Sequence, residues 1–231
     1  MIVLKGLFII YRLDRSYRDD FLARLKERRI TDRFLLRAML EKREKYGVIT
    51  RNFAKFMKSF LMPYSSYTAS GYSVSVVADT VIATNGTKYT IGLIGLATEG
   101  KGSFVYNLAY EYTSYQRTKS MGSVFSVGSG TRTPTPDDYS LENPVQDVPV
   151  TDVSLIYDAD KTRIVVSGGD TASTDFTASE VGLIAKILRQ EPGVVIADQD
   201  VISVLIDRAT FDPITFASGD PIACQYVLGL A

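Results

Sequence analysis

The side chains able to do chemistry in this chain are carboxylates and cations, because there is no His and only one Cys, Cys224. Without imidazole there is no Ser-His-Asp triad, no HExxH zinc site and no imidazole acid or base near neutral pH. A single cysteine supplies no intramolecular disulfide, no Cys-based zinc site and no iron–sulfur ligand set. The adjacent pair Asp137-Asp138 is of a type that does general acid–base work or holds a cation. It follows Pro136 in a Thr-Pro-Thr-Pro run, however, where Asp is ordinary turn chemistry. Asp158 and Asp160 read as a hairpin loop without the ligand spacing of a calcium loop. Gly122, Gly128 and Gly130 match no phosphate-cradling pattern and read as strand-end punctuation. The expectation is a non-enzymatic protein with no cofactor, no metal and no catalytic residue. A hydrolase working through two carboxylates is the least favoured alternative, since no specific pair stands out.

Two sets of residues suggest binding instead. Phe53, Phe56, Met57, Phe60 and Leu61 fall at helical spacing, and Arg51, Lys55 and Lys58 lie off that stripe. Those three cations form a candidate contact with DNA or with an acidic protein surface, or else a solvated helix face. Tyr106, Tyr110 and Tyr112 share strand parity and would form a stripe for a sugar or a protein partner. The alternative is cross-strand packing on a half-buried sheet face.

The elements that must position these residues follow from a change of character along the chain. The 26 Lys+Arg and 26 Asp+Glu cancel overall, yet residues 1–61 carry 16 of the cations and 7 of the anions, a local charge of +9. The remainder carries −9. Residues 1–62 are therefore expected to form a basic helical assembly segment, residues 63–71 a linker broken by Pro63, and residues 72–231 a β-sandwich. Ser16 with Asp19 suggests one helix start, Thr31 a second and Thr50 a third, with Gly47 stopping the second. From Tyr72 the pattern turns to period two with frequent turns, including Asn85-Gly86 between Val81-Ile82 and Tyr89. The expected class is α+β, a basic helical part followed by an antiparallel, jelly-roll-like sandwich. Residues 181–188 fit a short helix as well as a strand. The apolar opening of residues 2–13 contains Lys5 and Arg12 and is too short to span a membrane. It is also a poor secretory signal, so synthesis in a cytoplasm is expected.

Residues 124–144, Val-Phe-Ser-Val-Gly-Ser-Gly-Thr-Arg-Thr-Pro-Thr-Pro-Asp-Asp-Tyr-Ser-Leu-Glu-Asn-Pro, resemble the GxGTxxPxxxDYxL segment of virus structural proteins. Phe176-Thr-Ala-Ser-Glu-Val-Gly-Leu183 and the run from Arg208 through Phe211-Asp-Pro-Ile-Thr-Phe216 to Ser218-Gly-Asp220 are similar to two further pieces of that β-domain. The likeness covers about half of the chain, residues 120–230. It implies a non-enzymatic virion protein of a bacteriophage or archaeal virus, a tail, portal-proximal connector or capsid vertex component. Such a protein is a homo-oligomer, present as a ring or as vertex copies, made in the host cytoplasm and residing in the virion. Its partners would be other virion proteins and packaged DNA. A receptor- or glycan-binding module of the virus surface or tail is the alternative. The absence of fibre repeats and of a Gly-X-Y stretch argues against a long trimeric fibre. The missing His and few Cys, Asn and Gln weakly favour a hot host, hence an archaeal virus.

Overall fold

The computed structural model describes residues 4–61, 79–91, 123–157, 162–188 and 201–230. The chain begins with a strand, β1 (Leu4–Leu13), then a short 3-10 turn (Arg15–Tyr17), α1 (Arg18–Lys26) and α2 (Asp32–Ala38). Next come β2 (Met39–Tyr46), β3 (Val48–Ile49) and α3 (Arg51–Leu61). The remaining strands are β4 (Asp79–Ile82), β5 (Lys88–Ile91), β6 (Val124–Gly128), β7 (Pro144–Tyr157), β8 (Thr162–Thr171), β9 (Phe176–Leu188), β10 (Val201–Phe216) and β11 (Pro221–Leu230). The class is α+β and mostly antiparallel sheet.

Nine strands form one sheet in the order β2-β1-β11-β8-β7-β6-β9-β10-β3, and β4-β5 form a separate hairpin. The order contains its own closure. The two outermost strands, β2 and β3, are consecutive in the chain and separated only by Gly47. One end of this strap pairs with β1 and the other with Asp207 and Arg208 of β10. Gly47 N–H donates to the Gly6 carbonyl at 2.9 Å, and Arg43 Nε donates to the Asp212 carbonyl at 3.1 Å. At the opposite corner β7 changes partners: its first part pairs with β6, its second with β8, and the register shifts between Val150 and Asp152. The result is a nearly barrel-like sheet around the main core. Phe8, Ile10, Val166, Cys224 and Tyr226 face Phe125, Val127, Val181, Leu183, Ala209 and Phe216 inside it.

The structure corrects the expected helical arm. Leu4–Leu13 is an interior strand of the sheet, paired on both sides. Phe8 and Ile10 enter the main core, while Ile9, Tyr11 and Leu13 point the other way into a second cluster with Phe21, Leu25, Phe34, Leu35 and Ala38 of α1 and α2. A strand buried on both faces loses the apolar–polar alternation that would have announced it. The second expected helix also ends early, at Ala38, and the residues up to Tyr46 are extended. Ser16 does not cap the first helix: Asp14 caps the preceding 3-10 turn by accepting the Ser16 N–H at 2.8 Å, and α1 starts after Tyr17 without a side-chain cap. Thr31 and Thr50 cap as expected, accepting the N–H of Phe34 and of Phe53. Residues 181–188 are strand. The Asn85-Gly86 hairpin is present, closed by Ala83 N–H on the Thr87 carbonyl, with the positive φ confined to Gly86. The expected linker, residues 63–71, lies outside the described residues.

Gly47 is required by space. A Cβ there would overlap the Asp207 carboxylate and come within 2.8 Å of the Phe8 ring. Overpacking at such a site costs about 1–3 kcal/mol. Gly47→Ala is therefore expected to lower the urea midpoint by a corresponding amount without changing its slope.

Candidate functional site

The best-built cluster of charged groups lies on the outer side of the sheet, where a loop of residues 129–143 folds over β9 and β10. Its centre is Arg208, whose side chain is 0% exposed. Nε donates to Glu180 Oε2 at 2.9 Å, and Nη1 donates to Asp138 Oδ2 at 2.7 Å. Nη2 lies 2.8 Å from Glu180 Oε2 and 3.9 Å from Glu142 Oε2. Arg132 adds a second cation at 2.9 Å from Asp138 Oδ1.

Each carboxylate also gathers backbone donors from the loop. Glu180 accepts the N–H groups of Gly130, Glu142 and Asn143. Asp138 accepts the N–H and hydroxyl of Thr135, and Glu142 accepts the N–H groups of Thr131 and Arg132. Burial pushes the Asp138 carboxyl up, but bonds from Arg208, Thr135 and Arg132 outweigh it and hold it below its ordinary value. Bonds from the Arg132 N–H first, against some desolvation, hold Glu142 low as well. Leu141 is the apolar pin of the loop, packed on Val124, Ile184 and Leu205. Gly182 leaves room for it: a Cβ there would come within 2.6 Å of Leu141.

Three carboxylates thus converge, as an acid–base site would require, yet on a guanidinium that occupies them. Asp137, the other half of the sequence pair, points away and pairs with Arg51 at 2.5 Å on the surface. No group of three or more His, Cys, Asp or Glu able to hold a metal ion occurs among the described residues. Asp158 and Asp160 lie outside them. An open polar cleft of about 280 Å³ at the β10–β11 turn is lined by Arg15, Arg18, Asp19, Ser218 and Gly219. Its main cation is engaged, since Arg15 donates to Asp220 and to the Ser218 carbonyl.

The expected binding residues fare unevenly. Arg51 and Lys55 sit on α3, but each makes a contact within the chain, Arg51 with Asp137 and Lys55 with the Thr80 carbonyl. Lys58 is on the same helix, and its side chain is outside the described set. Tyr106, Tyr110 and Tyr112 lie outside the described residues.

A different exposed surface emerges at the outer half of β7. Val153 pairs with Val166, Leu155 with Ile164 and Tyr157 with Thr162. Directly opposed residues share a sheet face, and Val166 belongs to the main core. The inner apolar face therefore runs out of the enclosed region, and Leu155 and Tyr157 are 55% and 72% exposed at its end. Among the described residues, nothing pairs with the second edge of residues 151–157.

Sequence reasoning missed Glu180 and Arg208. The signal was available: each is a charge set among apolar residues of a strand, a placement that demands a partner. Removing one member of a buried ion cluster strands the others and costs about 3–5 kcal/mol. Arg208→Met should lose stability on that scale in chemical denaturation, and should expose the loop to proteolysis near Thr131–Thr135 while the sheet remains folded.

No family model, no curated protein and no solved structure matches the chain.

Proposed function

We propose that this chain is a non-enzymatic structural protein of a virus particle, a tail, portal-proximal connector or vertex component, present in several copies. The observation that carries the assembly part is the exposed Val153–Leu155–Tyr157 stripe, beside a strand edge with which nothing pairs among the described residues. An apolar stripe that continues a core face, next to free backbone donors and acceptors, is suited to receiving another chain. Copies of this chain and neighbouring virion proteins are the partners in this reading. The two halves of the sheet, joined at β7 and at Gly47, would serve as jelly-roll-like walls of the subunit.

The virion part of the reading rests on the resemblance, and one geometric fact supports treating it as a single unit. Its three segments, far apart in sequence, meet around Arg208. The loop comes from the first, Ser179, Glu180 and Gly182 from the second, and Arg208 itself opens the third.

Sedimentation velocity of the full chain tests the assembly. A multi-copy species is expected, and Leu155→Asp with Tyr157→Asp should weaken it at least tenfold, the loss expected for truncating an interface anchor. A strict monomer, unchanged when other virion components are added, would refute the proposal.

A further inference from the structure

On the inner face of β10, the residue next to Arg208 presents the opposite problem. Asp207 is 0% exposed, and among the described residues no cation lies beside its carboxyl. Tyr226 of β11 donates its hydroxyl to Oδ2 at 2.8 Å, while Oδ1 has no hydrogen-bond partner. Among the described residues, the groups placed nearest the carboxyl from other elements are backbone and apolar ones. They are Gly6 and Phe8 of β1, Gly47 of the strap, and Leu183 of β9 at the paired position. Tyr226 is thus the titratable side chain that faces it among the described residues. The Arg208 guanidinium leaves on the far side of the strand toward Glu180 and Asp138.

The position of this carboxyl is what gives it consequence. The Gly6 and Gly47 backbones are both packed against it, and β3 pairs with Asp207 itself. The strap's hold on β10 is short at this point, two residue pairs in β3. We propose that Asp207 is a proton-operated latch on the barrel seam: in its neutral form it seats the Gly47 crossing between β1 and β10, and its ionisation loosens the strap.

The sign follows from burial of a carboxyl without a counter-charge. Desolvation pushes Asp207 up to about 7, against the opposing pull of the Tyr226 hydroxyl and the Arg208 backbone N–H. A group whose folded value is raised binds its proton more tightly when the seam is closed. Closure is then strongest below about pH 4, weakens as pH rises toward 7, and levels off above that. Carboxylates held low, such as Asp138, work in the opposite direction, so only a comparison with an Asp207 variant isolates the latch.

Hydrogen exchange read residue by residue, corrected for intrinsic rate, makes that comparison. The amides to follow are Gly47, which donates to Gly6, and Thr50, which donates to Ile206, with Phe125 in the sheet centre as control. In the wild type, the opening constant at Gly47 and Thr50 should rise about tenfold per pH unit between about pH 4 and 7, up to about 1000-fold. In Asp207→Asn it should be flat once the shared background is subtracted. Tyr226→Phe removes a bond to the ionised form, so the rise should begin at the same pH but continue to higher pH before levelling off. Equal pH dependence at Phe125 and Gly47, or a seam profile unaffected by Asp207→Asn, overturns the latch. Infrared spectra of the wild type give a second reading that does not depend on the variants folding. A neutral-carboxyl band that disappears between about pH 5 and 8 is expected, and its absence at pH 5 overturns the proposal.

Discussion

Two consecutive charges on opposite faces of one strand govern this structure. Arg208 turns outward into a set of carboxylates and Asp207 turns inward against Tyr226, both at 0% exposure. The same two residues are the ones that β3 pairs with to close the sheet. The loop clamp, the seam and the end of the strap therefore share one short segment of β10. Displacement of that segment by one residue would exchange the faces of both charges, placing the cation in the apolar core and the acid among other acids. Few registers of a strand are so strongly enforced.

The outer charge explains why its loop is built as it is. Residues 129–143 are rich in Gly, Thr and Pro, and among them Leu141 supplies the buried apolar anchor. A segment of that composition buries too little to order itself. What orders it is charge-assisted bonding: Glu180 takes three backbone N–H groups, and Asp138 ties the Thr135 turn to Arg208. Such bonds are about twice as strong as neutral ones and have defined directions. A buried ion cluster adds little to net stability compared with an apolar replacement. Its effect here is to impose one loop conformation on a chain that apolar packing alone would leave undetermined. The Gly-rich segment whose Asp137-Asp138 pair was of an acid–base or cation-binding type thus places Asp138 in a clamp on Arg208. Gly128 and Gly130 are small because Glu180 lies against them.

Much of this fold was legible along the chain. Strands β6 and β11, the Asn85-Gly86 hairpin and the Thr31 and Thr50 caps declare themselves through local residues, and local residues determine them. The failures have a common cause in long-range pairing. Leu4–Leu13 is apolar on both faces because helices cover one side and the core the other, so no period-two signal survives. Met39–Tyr46 reads Met-Leu-Glu-Lys-Arg-Glu-Lys-Tyr, a composition with high helix propensity, yet it pairs with β1 across the seam. Its charges suit an outer strand, where Lys and Glu discourage further pairing. The clamp was hidden for the same reason, since its members are separated by 70 residues between Asp138 and Arg208.

The charge division of the chain takes on a new sense in this light. A +9 segment followed by a −9 remainder suggests two bodies, or a contact between one copy's head and another's tail. In the folded chain several of the basic residues contact later parts of the same chain. Arg12 donates to the Thr215 carbonyl, Arg15 to Asp220 and Ser218, Arg43 to the carbonyls of Asp212 and Pro213, and Arg51 to Asp137. Every one of these contacts joins the first 61 residues to later ones, and those of Arg12 and Arg43 reach from β1 and β2 to β10. Exposed ion pairs contribute little each, so they do not bind the halves together by strength. They specify which edge meets which. The holding energy comes from the apolar face of β1, whose Phe8 and Ile10 enter the main core. Among the described residues, the apolar stripe of β7 thus stands apart from these basic residues, which already contact later parts of the same chain.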